Sequence, residues 1–294
     1  MHDILSLIGQ TPIVELTSLF QQSGVRVYGK LEGQNPGGSV KDRAAYSMIK
    51  GAIERGTLLP GMELVEATSG NTGIALAMIA SLFKVPLTLV MPDNATEERV
   101  QTMRAYGAKV ELTPAAKTIE YSREYAESLA QQPGYLLLNQ FANEDNWKAH
   151  YRTTGPEIWE ATQGKITHLV SSMGTTGTIM GTSRYLKSMN PQVQIVGVQP
   201  TEGSNIPGIR RWSPAFLPEI YDAAWVDQII DVSQEEATYT ARRLAKEEGV
   251  LGGMSSGGAV AAAAKLVPTL KEGLVVCIIC DRGDRYLSSG LFAS

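Results

Sequence analysis

Cysteine and histidine are scarce in this sequence: 294 residues hold two cysteines and three histidines. Cys277 and Cys280 are too few to build a disulfide framework for a chain of this length. They are spaced as Cys-x-x-Cys, but in or at the end of a strand-like run, where side chains three apart point to opposite faces. A shared metal or a disulfide is therefore not expected. The carboxylates Glu63, Glu66, Asp93, Asp281 and Asp284 also lack the companion histidines or loop spacing of a metal site. No long uninterrupted apolar run is present, so no transmembrane helix is indicated. A net charge of −4 and a pI near 5.5 provide no basic field for a polyanion, which argues against nucleic acid as a partner. The opening residues, Met1-His2-Asp3-Ile4-Leu5, do not follow the charged-then-apolar plan of a signal peptide. A soluble cytoplasmic protein is the expectation.

What remains is ordinary globular composition, 43% hydrophobic and 19% charged, in a chain long enough for two domains or lobes. Short β-branched runs alternate with longer stretches of helical period. Strands are predicted at 25–31, 63–66, 87–91, 109–112, 135–138, 168–172, 194–199, 229–232 and 274–279. Helices are predicted at 41–55, 72–83, 96–106, 118–131, 178–189, 234–248 and 256–267. Such alternation implies parallel sheets with helices on both faces, the α/β class. Ligands in that class sit at the carboxyl ends of strands, where loops lead into helix N-termini.

Four segments fall at such places. Gly174-Thr175-Thr176-Gly177-Thr178 follows a strand and precedes a helix. Its glycines let the backbone approach an anion, the helix start supplies free N–H groups, and the threonines add hydroxyl donors. It matches neither a Walker loop nor a dinucleotide fingerprint, and spacing alone leaves a plain structural turn as a competing reading. Thr68-Ser69-Gly70-Asn71-Thr72-Gly73 is similarly placed and suits a carboxylate, or is an elaborate helix cap. In Asn35-Pro36-Gly37-Gly38-Ser39-Val40-Lys41-Asp42-Arg43 the turn and the Ser39 N-cap put Lys41 in a first helical turn. A cation there opposes the helix dipole, which lowers the amine's pKa and favours its reactive neutral form. Asp42 offsets part of that effect. Gly253-Met254-Ser255-Ser256-Gly257 matches the nucleophile elbow of α/β-hydrolases. That fold needs its histidine after the serine, whereas His2, His150 and His168 all precede Ser255, so the hydrolase reading fails on order.

A reactive lysine, a phosphate loop and a carboxylate loop together suggest a pyridoxal-phosphate (PLP) enzyme acting on an amino acid. The segments Asn35–Arg43, Thr68–Gly73, Gly174–Thr178 and Gly253–Gly258 resemble the fold-type II PLP family of cysteine synthases, over nearly the whole chain. Gly208-Ile209-Arg210-Arg211-Trp212 and the run from Cys280 to Tyr286 are similar to that family's B branch. The resemblance implies two α/β lobes of the tryptophan synthase β type, one spanning 35–145 and the other 1–34 plus 146–294, with PLP in the cleft and a homodimeric assembly. It implies that Lys41 carries the cofactor and serves as general base. Asn71 would bond the ring's 3′-oxygen, Gly174, Thr175, Thr176, Gly177 and Thr178 would hold the phosphate, and Ser255 would meet the pyridine nitrogen. Thr68, Ser69, Gly70, Asn71 and Thr72, with Gln140, would bind the substrate carboxylate. Arg210 and Arg211 would favour thiosulfate through charge-assisted hydrogen bonds, and Cys280 would line the same pocket. A hydroxyl at the pyridine nitrogen makes the cofactor a moderate electron sink, suited to β-replacement. The implied reaction converts O-acetylserine and sulfide or thiosulfate into cysteine or S-sulfocysteine. Cystathionine β-synthase-like and serine/threonine dehydratase-like lyases share these motifs and stand as alternatives, and contact with a serine acetyltransferase is a further possibility within the family.

Overall fold

The computed structural model describes residues 3–22 and 24–293. His2 therefore lies outside the described residues, as does the start of the segment read for a signal peptide. Two parallel sheets organise the chain. The larger is built from β1 (Ile13–Glu15), β2 (Val25–Leu31), β7 (His168–Ser172), β8 (Gln194–Pro200), β9 (Gln228–Val232) and β10 (Gly273–Ile279). Its spatial order is β1-β2-β10-β7-β8-β9, and only β1 runs antiparallel to its neighbour. The smaller sheet contains β3 (Glu63–Ala67), β4 (Leu87–Pro92), β5 (Lys109–Thr113) and β6 (Tyr135–Leu137) in the order β5-β4-β3-β6, all parallel.

The central strands read as continuous apolar runs because helices cover both of their faces. β4 is buried at every position. Helices α1 (Lys41–Glu54), α2 (Asn71–Phe83), α3 (Glu97–Ala105) and α4 (Thr118–Ala130) flank the smaller sheet. Then follow α5 (Glu144–Arg152), α6 (Thr154–Ala161), α7 (Gly177–Met189), α8 (Gln234–Glu248) and α9 (Met254–Leu266). The predicted strands and helices recur within one or two residues of these bounds. Beyond them the structure adds β1, α5 and α6.

Strand order locates the place for a ligand. In each sheet the winding reverses once, and the crevice outside the carboxyl ends at that point is open. In the smaller sheet the reversal lies between β3 and β6, whose exits lead to Thr68–Thr72 and Gln140. In the larger it lies between β7 and β10, whose exits lead to Gly174–Thr178 and Cys280.

A buried charge cluster fixes α1 beneath this crevice. The Arg43 guanidinium bonds Glu32 through Nε and Nη2 at 2.7 and 2.8 Å, and Glu157 through Nη1 and Nη2 at 2.6 and 2.7 Å. Lys30 Nζ adds 2.6 Å bonds to Glu157 and to the Thr11 carbonyl. Burial pushes the Glu32 carboxyl up, but the Arg43 charge and hydrogen bonds outweigh it and hold the group at about 2.

Candidate active site

The exits of both sheets and four helix N-termini converge on one cavity. It is lined by Val40, Lys41, Asn71, Ser171, Ser172, Gly174, Thr175, Thr176, Thr178, Gly208, Ser255 and Cys280. Lys41 is the first residue of α1, Asn71 the first of α2, Gly177 the first of α7 and Ser255 the second of α9. Each helix start directs unpaired N–H groups and a partial positive charge into the crevice, so the cavity favours an anion.

Lys41 is not capped quite as the sequence suggests. Val40 occupies the N-cap position, and the Ser39 hydroxyl accepts from the Lys41 backbone N–H at 3.2 Å. Burial lowers the pKa of the Lys41 amine, and the neighbouring Cys280 and Asp281 only partly oppose it. Asp42 does little to restore it: burial raises its own pKa to about 7, and its carboxyl turns back to accept from the Gly37 N–H at 2.5 Å. Dehydration is the cause that keeps this amine toward its neutral form.

The Gly174–Thr178 loop is shaped by its surroundings. Thr176 sits at φ +70°, a costly conformation for a β-branched residue and one that clusters at functional sites. Its hydroxyl is buried without a partner, as is that of Ser171. A Cβ on Gly174 would lie 2.7 Å from the Gly208 carbonyl, and one on Gly177 would lie 2.0 Å from Asn146 Oδ1. These glycines serve close approach. Orphaned hydroxyls beside a helix start fit a phosphate group, whose oxygens would accept what the protein leaves unpaired.

Both ends of the Asn71 side chain are engaged. Nδ2 donates to Asp281 Oδ2 at 2.6 Å, and Oδ1 accepts from Arg285 Nη1 at 2.7 Å. The carboxylate and the guanidinium fix the amide's orientation and leave one N–H free. At the same reversal point the Thr72 hydroxyl donates to Gln140 Oε1 at 2.8 Å, so the Gln140 amide N–H groups stay available. Ser69 and Gly70 are half-buried and Thr68 is buried; of this loop only Asn71 lines the cavity. Ser255 is buried against Gly208, and its carbonyl accepts from the Ser172 hydroxyl at 2.8 Å. Neither His150 nor His168 hydrogen-bonds Ser255; they bond Thr154 with Thr178, and Thr167, respectively. This agrees with discarding the hydrolase.

The two cysteines separate as their spacing requires. Cys277 is in the core, whereas Cys280 lines the cavity. Burial raises both thiols to about 12. Among the described residues no group of histidine, cysteine and acidic side chains is arranged for a metal.

The arginine pair also divides. Arg211 does not reach the cavity: Nε donates to the Pro200 carbonyl at 2.8 Å and Nη2 pairs with Asp231. Arg210 donates its backbone N–H to the Met173 carbonyl at 2.8 Å, beside Gly174. The Glu120 carboxyl is lowered chiefly by the Thr118 hydroxyl, with a smaller contribution from the Arg210 charge. Arg210 is thus within electrostatic reach of Glu120 on α4. Sequence reasoning passed over Trp212, whose indole N–H bonds the Gly174 carbonyl at 2.8 Å. It also gave no supporting role to Asp281, Arg285 or His150 and did not single out Asn146. Asn146 and His150 are four apart, the spacing of one helix face, and that was the available signal.

Residues 4–281 match the pyridoxal-phosphate-dependent enzyme family. A cysteine synthase B of Pseudomonas aeruginosa is 56% identical over 289 residues, 98% of this chain and 97% of its own. A cysteine synthase B of Escherichia coli is 53% identical over 292 residues, 99% and 96% of the two chains. Among solved structures, a cysteine synthase of Entamoeba histolytica superposes with a TM-score of 0.95 at 37% identity, covering 100% of this chain and 91% of that one. On this evidence of residues, topology and likeness, the chain belongs to the cysteine synthase family of pyridoxal-phosphate-dependent enzymes.

Proposed function

We propose that this protein makes L-cysteine by replacing the acetoxy group of O-acetyl-L-serine with sulfide. The observation that carries the reading is the dehydrated Lys41 amine, held in one cavity with Asn71, the threonine loop and Ser255. When bound through Lys41, PLP supplies an electron-withdrawing ring that acidifies the substrate's α-proton and lets the β-acetoxy group depart.

The rest of the work falls to the chain. Lys41, once released and neutral, takes the α-proton and later returns it to the same carbon. Thr68 to Thr72 and the Gln140 amide hold the substrate carboxylate at the N-terminus of α2. Asn71 offers its remaining N–H to the ring oxygen, and Gly174 to Thr178 grip the phosphate. Ser255 gives the pyridine nitrogen a neutral partner, which favours expulsion of the β-substituent over a lasting carbanion. Cys280 stays a thiol because burial keeps it protonated, so it does not compete with sulfide as a nucleophile.

Thiosulfate as an alternative donor belongs to the same reading, with Arg210 as the group that would favour it; Arg211, engaged by the Pro200 carbonyl and Asp231, is left out. The lobe division at residues 35–145 belongs to the same reading, supported by the smaller sheet, whose four strands all lie inside it. A homodimer is carried over from the family resemblance alone.

Borohydride reduction of the loaded enzyme followed by peptide mapping is expected to find the fixed cofactor on Lys41. Mixing with O-acetylserine should shift the visible band, and sulfide should restore it. Thiosulfate should restore it more slowly in Arg210→Ala, with the sulfide reaction unchanged. Label at another lysine, or no visible response to O-acetylserine, would sink the reading.

A further inference from the structure

Two polar side chains of α5 are buried directly behind the threonine loop. Asn146 is 2% exposed and His150 is 1% exposed. Asn146 Nδ2 donates to the Gln140 carbonyl at 2.7 Å and to Thr175 Oγ1 at 3.1 Å. Thr175 Oγ1 also accepts from the Gly177 N–H at 3.4 Å. A hydroxyl has two acceptor lone pairs and one proton. Both lone pairs of Thr175 are taken, so its proton is left to point away from α5, into the cavity.

Thr178 is served in the same way. His150 Nε2 lies 3.3 Å from Thr178 Oγ1, and Nδ1 lies 2.9 Å from Thr154 Oγ1. Burial drives the imidazole pKa down to about 3, so one ring nitrogen donates and the other accepts. If Thr154 gives its proton to Nδ1, then Nε2–H is directed at Thr178, whose own proton is also released toward the cavity. The opposite tautomer would make Thr178 donate backwards and present only lone pairs to an anion.

We propose that Asn146 and His150, with Thr154 behind the imidazole, are positioning residues that orient the Thr175 and Thr178 hydroxyl protons toward the cofactor's phosphate. This rests on the reading that residues 174–178 hold that phosphate. None of the three touches the anion; each acts through a threonine. The arrangement turns two ambivalent hydroxyls into fixed donors without placing a second cation in the cavity, where Lys41 must stay the only ionisable amine.

The test measures cofactor affinity by titrating the cofactor-free protein with PLP, together with the ³¹P resonance of the bound phosphate. Thr154→Val is expected to weaken PLP binding about tenfold and to shift the resonance, whereas Thr154→Ser restores both. His150→Phe should weaken binding to a similar degree. Added to Thr178→Val it should cost nothing further, because the hydroxyl it orients is already gone. Equal affinities for Thr154→Val and Thr154→Ser, or additive losses for His150→Phe and Thr178→Val, would overturn the proposal. Should His150→Phe fail to fold, the Thr154 pair decides alone. A bound phosphorus resonance and PLP affinity both unmoved by Thr178→Val alone would instead remove the reading beneath it.

Discussion

Glu66 offers a test of how the smaller sheet bears a buried acid beside the crevice. It lies near the end of β3, 4% exposed, and Oε2 accepts from the Asn139 backbone N–H at 3.0 Å. That bond ties the exit of β3 to the residue before Gln140. Burial raises the carboxyl to about 8 from 4.5, against the smaller effects of the Asn139 amide and the Arg123 charge. The native state therefore keeps its proton where the unfolded chain has lost it. For a raised acid, the contribution to stability is fully present below the unfolded pKa and is lost as pH climbs through the folded one. Between pH 5 and pH 9 this loss amounts to about 4 kcal/mol. Glu66→Gln keeps the acceptor for Asn139 and removes the titration. The variant's stability relative to wild type should then rise by about 4 kcal/mol from pH 5 to pH 9, from a starting point within about 1–3 kcal/mol of parity. Urea unfolding of both proteins, saturated with cofactor at each pH, reads the difference directly. A relative stability that stays flat across that range would show that Glu66 is hydrated, and the argument would fail.

Two other outcomes follow from the same kind of reasoning. Cys280, with its thiol near 12, should react with iodoacetamide at pH 8 about 50-fold more slowly than an ordinary cysteine. Its thiolate fraction falls about a thousandfold, and the greater nucleophilicity of the rarer thiolate recovers part of that; mass mapping that found it labelled as fast as free cysteine would contradict the raised pKa of this half-buried thiol. Arg43→Met should destabilise the protein by about 3–5 kcal/mol, because it leaves Glu32 buried without its counter-charge. A thermal or urea midpoint equal to wild type would mean that the ion pairs do not hold α1.

Most of the architecture was legible because strand and helix periods differ and because the chain alternates them regularly. The loops at Thr68, Gly174 and Lys41 were legible for a related reason: glycines and capping residues collect where a strand hands over to a helix. The stretch from Glu144 to Ala161 was not. Thr153, at φ −129° and ψ −68°, splits it into two short helices, and Gly155 and Pro156 disguise the second. Its inward face carries Asn146 and His150, so an apolar stripe is missing. β1 is only three residues long and has no periodicity to show. Adjacent arginines read alike in a sequence, yet Arg211 is engaged by Asp231 while, among the described residues, no side-chain partner holds Arg210 there. The lysine's altered basicity was anticipated from the dipole, but its main cause, loss of water, depends on packing that no local pattern records.

The charge cluster around Arg43 has a bearing on timing as well as on stability. On the proposed reading, Lys41 would give up its bond to an incoming amine and later reclaim it, which calls for a pivot that does not wander in the interval. Two residues beyond Lys41, four short ion-pair contacts tether the same helical turn to both flanking segments. The swing of the free arm is thereby confined to its own four methylenes, and each turnover begins from the same anchor point as the last.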